Sequence, residues 1–235
     1  MTPRASGHTP APDLPTPASM FREAAAFVRS AFEPEPTVIP GPRGDGHAVL
    51  FFPAVMRGDG QTAGVRNFLA ANGYRAFGWD LGVNLGPVPW LLSGATARLA
   101  GLAADHGPVS LVGYSMGGLF ARWLARRMPQ YVRQVITVCA PFNDALHSTW
   151  FPLEAVSRFW PGPDLSVLAA EVAKPLAVPG TFIYCRSDGI VDWRCCLDEQ
   201  AAPGDNIEVT GHHTTMAGNP EVRRILLDRL APRPR

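Results

Sequence analysis

The residues best suited to chemistry stand in three short stretches. Gly113-Tyr114-Ser115-Met116-Gly117 fits the pattern G-x-S-x-G. It lies between a strand-like run, PVSLVG (108–113), and a helix-like run, GLFARWLARRMP (118–129). A serine at that position sits in a tight strand-to-helix turn that lifts its hydroxyl above a sheet. Side chains at the flanking glycines would collide with the neighbouring strand or helix. The turn also leaves the Met116 N–H at the start of a helix, where a backbone donor and the helix dipole can stabilise a developing oxyanion. A serine hydroxyl alone is a weak nucleophile. It needs a base within hydrogen-bond reach, and the base needs an orienting acid. The second stretch, TFIYC then Arg186-Ser187-Asp188-Gly189, places Asp188 in a turn just after a strand. The third, NIEVT then Gly211-His212-His213, places two histidines just after another. Serine, then acid, then histidine is a chain order in which such a triad occurs.

Each role has competitors. Asp192 lies deeper in the segment after Asp188, and Asp144 follows the strand after the serine turn. Asp188 is the first choice because it stands at the strand end. His212 and His213 both remain open as the base. His8, His47, His106 and His147 are poorly placed: ahead of the ordered chain, before a strand, at a helix end and in an irregular stretch. A second oxyanion donor is expected from the loop after the first clear strand, Pro53-Ala54-Val55-Met56. The Val55 N–H is the choice there, with Ala54 as the alternative.

These residues need a scaffold of alternating strands and helices. AVLFF (48–52), YRAFGW (74–79), PVSLVG (108–113), VRQVITVCA (132–140), TFIYC (181–185) and NIEVT (206–210) read as six strands, several of them continuous apolar runs typical of a buried parallel sheet. Between them, 61–71, 89–105 and 118–129 read as helices, and Asn219-Pro220 opens a last helix ending near Leu230. This alternation implies a mostly parallel sheet with helices on both faces. Carboxyl ends of parallel strands share one edge, so the three stretches can converge. Upstream, Ser19 is expected to cap a short helix with Met20, Ala24, Phe27, Val28 and Ala31 on its apolar face, stopped by Pro34-Glu-Pro36. The expected organisation is a Pro-rich tail at 1–17 and one α/β domain at 18–235. An irregular insertion at 141–179 would cap the site with Phe142, Trp150, Phe151, Phe159 and Trp160. Those aromatics either face a substrate or pack the insertion onto the domain.

Composition narrows the chemistry. The chain has 235 residues, 46% of them hydrophobic and 17% charged, with a formal net charge of +1. All basic residues but Lys174 are arginine, and they are dispersed, so nucleic acid is not an expected partner. No run approaches the length of a membrane span. The first 20 residues lack the apolar core of a secretory signal, and the four cysteines lack regular spacing, which points to a reducing cytoplasm. Neither G-x-x-x-x-G-K-[ST] nor H-E-x-x-H is present, and Gly41–Gly46 precedes a strand rather than following one. No cofactor and no metal are expected. With 24 Pro and 23 Gly, one residue in five is a turn former.

VGYSMGGLFARWLA (112–125), VITVCAPF (135–142), YCRSDGIVDW (184–193) and GHHTTMAGNPEV (211–222) together resemble the α/β-hydrolase superfamily, in its lipase/esterase-like branch. WDLGVNLGP (79–87) resembles a subset of bacterial members, and the likeness runs over about 38–230. The resemblance implies a serine hydrolase of carboxylic esters with Ser115 as nucleophile, Asp188 as acid and a covalent acyl-enzyme. It selects His213 as base, because the family has one histidine following a Gly and a small residue, the place His212 fills here. The substrate it implies is a small, hydrophobic or amphipathic acyl compound. The alternatives are an acyltransferase or thioesterase on the same fold, and a non-catalytic binding scaffold. Two residues depart from the family pattern: Ala54 stands where the oxyanion loop usually has Gly, and Tyr114 where lipases commonly have His.

Overall fold

The computed structural model describes residues 15–30, 39–149, 160 and 162–232. Residues 1–14 of the tail expected at 1–17, Ala31, the helix stop Pro34-Glu-Pro36 and the aromatics Trp150, Phe151 and Phe159 lie outside them. Six strands form one sheet: β1 (Ala48–Phe52), β2 (Arg75–Phe77), β3 (Val109–Tyr114), β4 (Val132–Val138), β5 (Gly180–Tyr184) and β6 (Asn206–Glu208). Their order is β2-β1-β3-β4-β5-β6, and every pairing is parallel. All six expected strands form; those at 74–79 and 206–210 are shorter, at three residues each. These two are the edge strands, with one neighbour each to extend the ladder.

Alternate side chains point to opposite faces of a strand, and the core divides accordingly. Ala48, Leu50 and Phe52 face one way, with Val109, Leu111, Val135 and Phe182. Three helices cover that face: α3 (Pro89–His106), α4 (Met116–Arg127) and α5 (Leu165–Ala173). Val49, Phe51, Val112, Ile136 and Ile183 face the other way, under α2 (Ala63–Ala71) and α6 (Pro220–Leu230). Helix starts follow the expected signals in part. Pro89 and Pro220 sit in first turns, and the Asn219 side chain accepts from the Glu221 and Val222 N–H groups. A 3-10 turn, Asp59–Thr62, replaces the first residues of the helix expected at 61–71.

Two expectations need correction. The stretch 141–179 is not irregular throughout: α5 forms within it, capped by Asp164, whose carboxylate accepts from the Ser166 N–H. Arg122 of α4, with no exposure, suspends this helix. Its guanidinium donates to the carbonyls of Val172 (2.6 Å) and Lys174 (2.9 Å), and lies 3.7 Å over the Phe142 ring. Phe142 is 1% exposed and packs against Phe182, so it belongs to the core rather than to a substrate surface.

The second correction concerns α1 (Pro17–Ser30). Thr16, not Ser19, caps it: Ser19 N–H donates to Thr16 Oγ1, while Thr16 N–H donates to Ser19 Oγ, a reciprocal capping box. The expected apolar face is turned outward. Phe27 is 42% and Val28 60% exposed, whereas Ser19, Glu23 and Ala26 are buried. Polar groups win that face because they meet backbone donors and acceptors beneath the helix, described next.

Candidate active site

Ser115 follows β3 and precedes α4, with φ 51° and ψ −123°. A non-glycine residue pays about 1–3 kcal/mol to hold such a conformation, and persists in it only where the surroundings enforce it. Here they do. A Cβ on Gly113 would overlap Gly117 and Gly118, and one on Gly117 would overlap the Phe52 and Pro53 backbone. One on Gly118 would strike the Ala140 side chain. The glycines let α4 approach the sheet that closely, and the turn is bent at Ser115 as a result. Ser115 N–H donates to the Val138 carbonyl, and its own carbonyl accepts from Gly118 N–H.

At the loop after β1, the Ala54 N–H is taken by Gln61 Oε1 (2.8 Å), and the Met56 N–H by the Asn84 carbonyl (2.7 Å). Among the described residues nothing accepts from the Val55 or Met116 N–H. Both residues line an apolar cavity of about 300 Å³. Leu85, Leu119, Trp123, Trp160 and a stripe of α5 (Leu165, Leu168, Ala169, Val172) complete much of its wall. Trp160 is thus the one described aromatic of the insertion that reaches this space, together with Ala145 and Leu146.

Asp188 and His213 come together. Asp188 Oδ1 accepts from the N–H groups of Ile190 (2.8 Å) and Val191 (2.9 Å), and Oδ2 lies 2.7 Å from His213 Nδ1. Their side chains are 1% and 9% exposed. Burial pulls the imidazole pKa down, but the Asp188 charge and hydrogen bond, with the Glu23 charge behind them, outweigh it and hold His213 above its ordinary value. The strand ends link this pair to Ser115. Ser115 N–H bonds to the end of β4, and Cys139 N–H, at the end of β4, bonds to the Ile183 carbonyl in β5. Cys139 Sγ, an Asp188 carboxylate oxygen and a His213 ring nitrogen lie within 4.8 Å of one another.

That spacing also suits a metal ion, but the donor atoms are otherwise engaged. Burial first, then the Asp188 charge, raises the Cys139 thiol well above its usual pKa. His213 Nδ1 is committed to the same carboxylate. To ligate an ion there, the thiol would have to lose its proton and His213 Nδ1 its bond to Asp188.

The competitors are used elsewhere. Asp192 caps the turn Trp193–Cys196 by accepting from the Arg194 N–H, and Asp144 is exposed and 2.8 Å from His147 Nδ1. His212 is 40% exposed and 3.8 Å from Glu23 Oε1. A second Ser–His–Asp grouping exists at the opposite sheet edge. His47 Nδ1 is 2.5 Å from Asp45 and Nε2 is 2.9 Å from Ser110 Oγ. Ser110 has no exposure and lies within β3, so no substrate can reach it.

The residues that the sequence reading missed are Glu23 and Cys139. Ser19, Glu23 and Ala26 recur at i, i+4 and i+7, a helix-face signal hidden by their polarity. Cys139 carried no signal beyond its place at a strand end.

The family described as the α/β hydrolase fold matches residues 99–186, a span that holds the serine turn and the strand leading to Asp188. With the parallel sheet order and the helices on both faces, this decides the architecture. The chain has the α/β-hydrolase fold. Solved structures of that fold superpose over most of it. Monoacylglycerol lipase from Paleococcus ferrophilus has a TM-score of 0.57 at 15% identity, covering 81% of this chain and 95% of that one. Mouse alpha/beta hydrolase domain-containing protein 10 gives 0.53 at 16%, covering 80% and 89%. The thioesterase domain from the curacin biosynthetic pathway gives 0.52 at 17%, covering 80% and 92%. No curated protein matches the sequence significantly. Among the described residues of this α/β-hydrolase fold, no helix is long and apolar enough to cross a membrane.

Proposed function

We propose that this chain is a serine hydrolase of carboxylic esters with an apolar acyl group. Ser115 attacks the ester carbonyl while His213 Nε2 takes its proton. Asp188 holds the ring with Nδ1 protonated and stabilises the imidazolium that forms. The N–H groups of Met116 and Val55 receive the oxyanion. His213 then protonates the leaving alcohol, and water activated by the same imidazole releases the acid from Ser115. Proton transfer of this kind contributes about 10²–10⁴-fold and each oxyanion donor about 10²–10³-fold. The observation that carries the reading is the strained Ser115 turn at the same strand ends as a buried, hydrogen-bonded Asp188–His213 pair. The cavity beside both backbone donors favours an acyl chain over a charged substrate. Its volume of about 300 Å³ lies at the lower end of the range of small-molecule sites, about 300–1,000 Å³. Four buried cysteines, all free thiols, suit a reducing cytoplasm.

A fluorophosphonate probe is expected to label the wild-type protein and not Ser115→Ala. A p-nitrophenyl ester panel from C2 to C16 is expected to show hydrolysis that the same substitution abolishes. Equal labelling of both proteins refutes Ser115 as nucleophile. An acyl acceptor other than water, or a thioester substrate, would use the same acyl-enzyme and would appear as labelling without ester turnover. Absence of labelling in a folded wild type would favour a non-catalytic scaffold.

A further inference from the structure

The loops that carry Asp188 and His213 share an anchor far from both in sequence. We propose that Glu23 of α1 is a positioning residue whose carboxylate fixes the acid and base loops to each other. The inference rests on the assignment of Ser115, Asp188 and His213 made above.

Glu23 is 1% exposed. Its Oε1 accepts from the Gly189 N–H at 2.9 Å, in the residue after Asp188, and from the His213 N–H at 3.0 Å. Its Oε2 accepts from the Thr214 N–H and hydroxyl, both at 3.0 Å, and the hydroxyl also reaches the Glu23 carbonyl at 3.0 Å. Four donors converge on two oxygens, which suits a group that only accepts. The backbone of His213 is therefore held by the same side chain that holds the turn of Asp188. Ser19, one helical turn earlier, donates from Oγ to the Gly189 carbonyl at 3.1 Å. Gly189 is a glycine because α1 lies on it: a Cβ would stand 2.7 Å from the Ser19 carbonyl oxygen and 2.8 Å from Glu23 Cγ.

A carboxylate that merely seats a helix would need no such partners at both loops. One that spans them sets the Nδ1–Oδ2 geometry, and it adds negative charge beside the imidazole. Among the described residues, the charged and titratable groups around the pair are Asp188 from the acid loop, Glu23 from α1, Cys139 from the end of β4, the adjacent His212, and the buried thiols of Cys185 after β5 and Cys196. Removing the Glu23 charge lowers the His213 pKa, so the acid limb of the rate profile moves to lower pH.

The test compares Glu23→Gln and Glu23→Ala with wild type, and with Phe21→Ser on the 78% exposed face of the same helix. Three quantities are read: kcat and KM on a p-nitrophenyl ester, the pH profile of kcat/KM, and the NMR titration midpoint of the His213 ring, assigned with His213→Gln. The expected result for both Glu23 variants is a kcat lower by about 10- to 100-fold, as misplacement of reacting groups can cost, with KM nearly unchanged. Their acid limb and ring midpoint both move to lower pH, while Phe21→Ser matches wild type. The proposal is overturned if Glu23→Ala keeps the wild-type kcat and ring midpoint. It is also overturned if kcat falls but the ring midpoint stays, because a merely structural role predicts that. The ring titration needs no turnover. If the fluorophosphonate experiment fails on wild type, the assignment of Ser115 falls while the midpoint still judges the link from Glu23 to His213.

Discussion

His213 is pulled in opposite directions, and the balance sets how the site responds to pH. Burial favours the neutral ring; the Asp188 carboxylate, its hydrogen bond and the Glu23 charge favour the imidazolium, and they prevail. A raised pKa means that this ring becomes protonated at a higher pH than a free imidazole would, and on the proposed reading the ring is the base. The acid limb of kcat/KM is therefore expected to have its midpoint above about 6.5, the unperturbed histidine value. Asp188→Asn removes the largest opposing influence and lets burial dominate. On the proposed reading, a kinetic pH titration should find the limb displaced downward, with kcat reduced by about 10⁴-fold, the scale of that change in an established serine triad. Ser115, Asp188 and His213 are proposed from the sequence because each stands just past a strand with a glycine close by, and the structure brings Asp188 and His213 into hydrogen-bond contact. Sequence could not place Glu23, because its partners are backbone N–H groups of residues 166 and more positions away, and backbone groups leave no mark in residue types.

At the scale of elements, the turn between β3 and α4 concentrates the strain. Its three glycines do different work: Gly117 admits the end of β1, Gly118 admits Ala140, and Gly113 admits the first turn of α4 itself. Gly117→Ala forces the helix away from the Phe52–Pro53 backbone, and backbone cannot yield as a flexible side chain can. Its stability should fall by about 1–3 kcal/mol, the range for overpacking, and urea unfolding would read this as a lower midpoint at an unchanged slope. The strands were legible because β1 is a continuous apolar run and β3, β4 and β5 are apolar over most of their length, as suits a sheet covered on both faces. Helix α5 was not, because the surrounding prolines obscured its stripe of Leu165, Leu168, Ala169 and Val172. The face of α1 was misjudged for a different reason: an apolar pattern predicts burial only where no stronger polar contact competes, and Glu23 meets four donors.

For the whole molecule, the cavity is the space left where α4, α5 and the loops after β1 and β2 fail to meet. Arg122 keeps α5 at that distance by holding the carbonyls of Val172 and Lys174. Burial pulls its pKa down to about 10, with Asp198 partly opposing, so it stays charged at neutral pH. Ala169→Trp adds bulk to the α5 wall. On the proposed reading, it should cut kcat/KM on C12–C16 esters by at least about tenfold, as a few methylenes of lost fit would, and spare the C2 ester. A chain-length profile parallel to wild type would place the acyl group elsewhere. The architecture also carries the same trio of residue types twice. Ser110 and Ser115 are five residues apart on one strand and its exit, roughly 16 Å of extended chain, and each has a histidine and an aspartate assigned to its end. Inventory and spacing of side chains therefore distinguish the two ends poorly. What separates them is access: Ser115 is half-buried and precedes Met116, which lines the cavity, whereas Ser110 is wholly buried. On the proposed reading, access from outside, rather than the inventory of side chains, tells the reactive serine from the inert one.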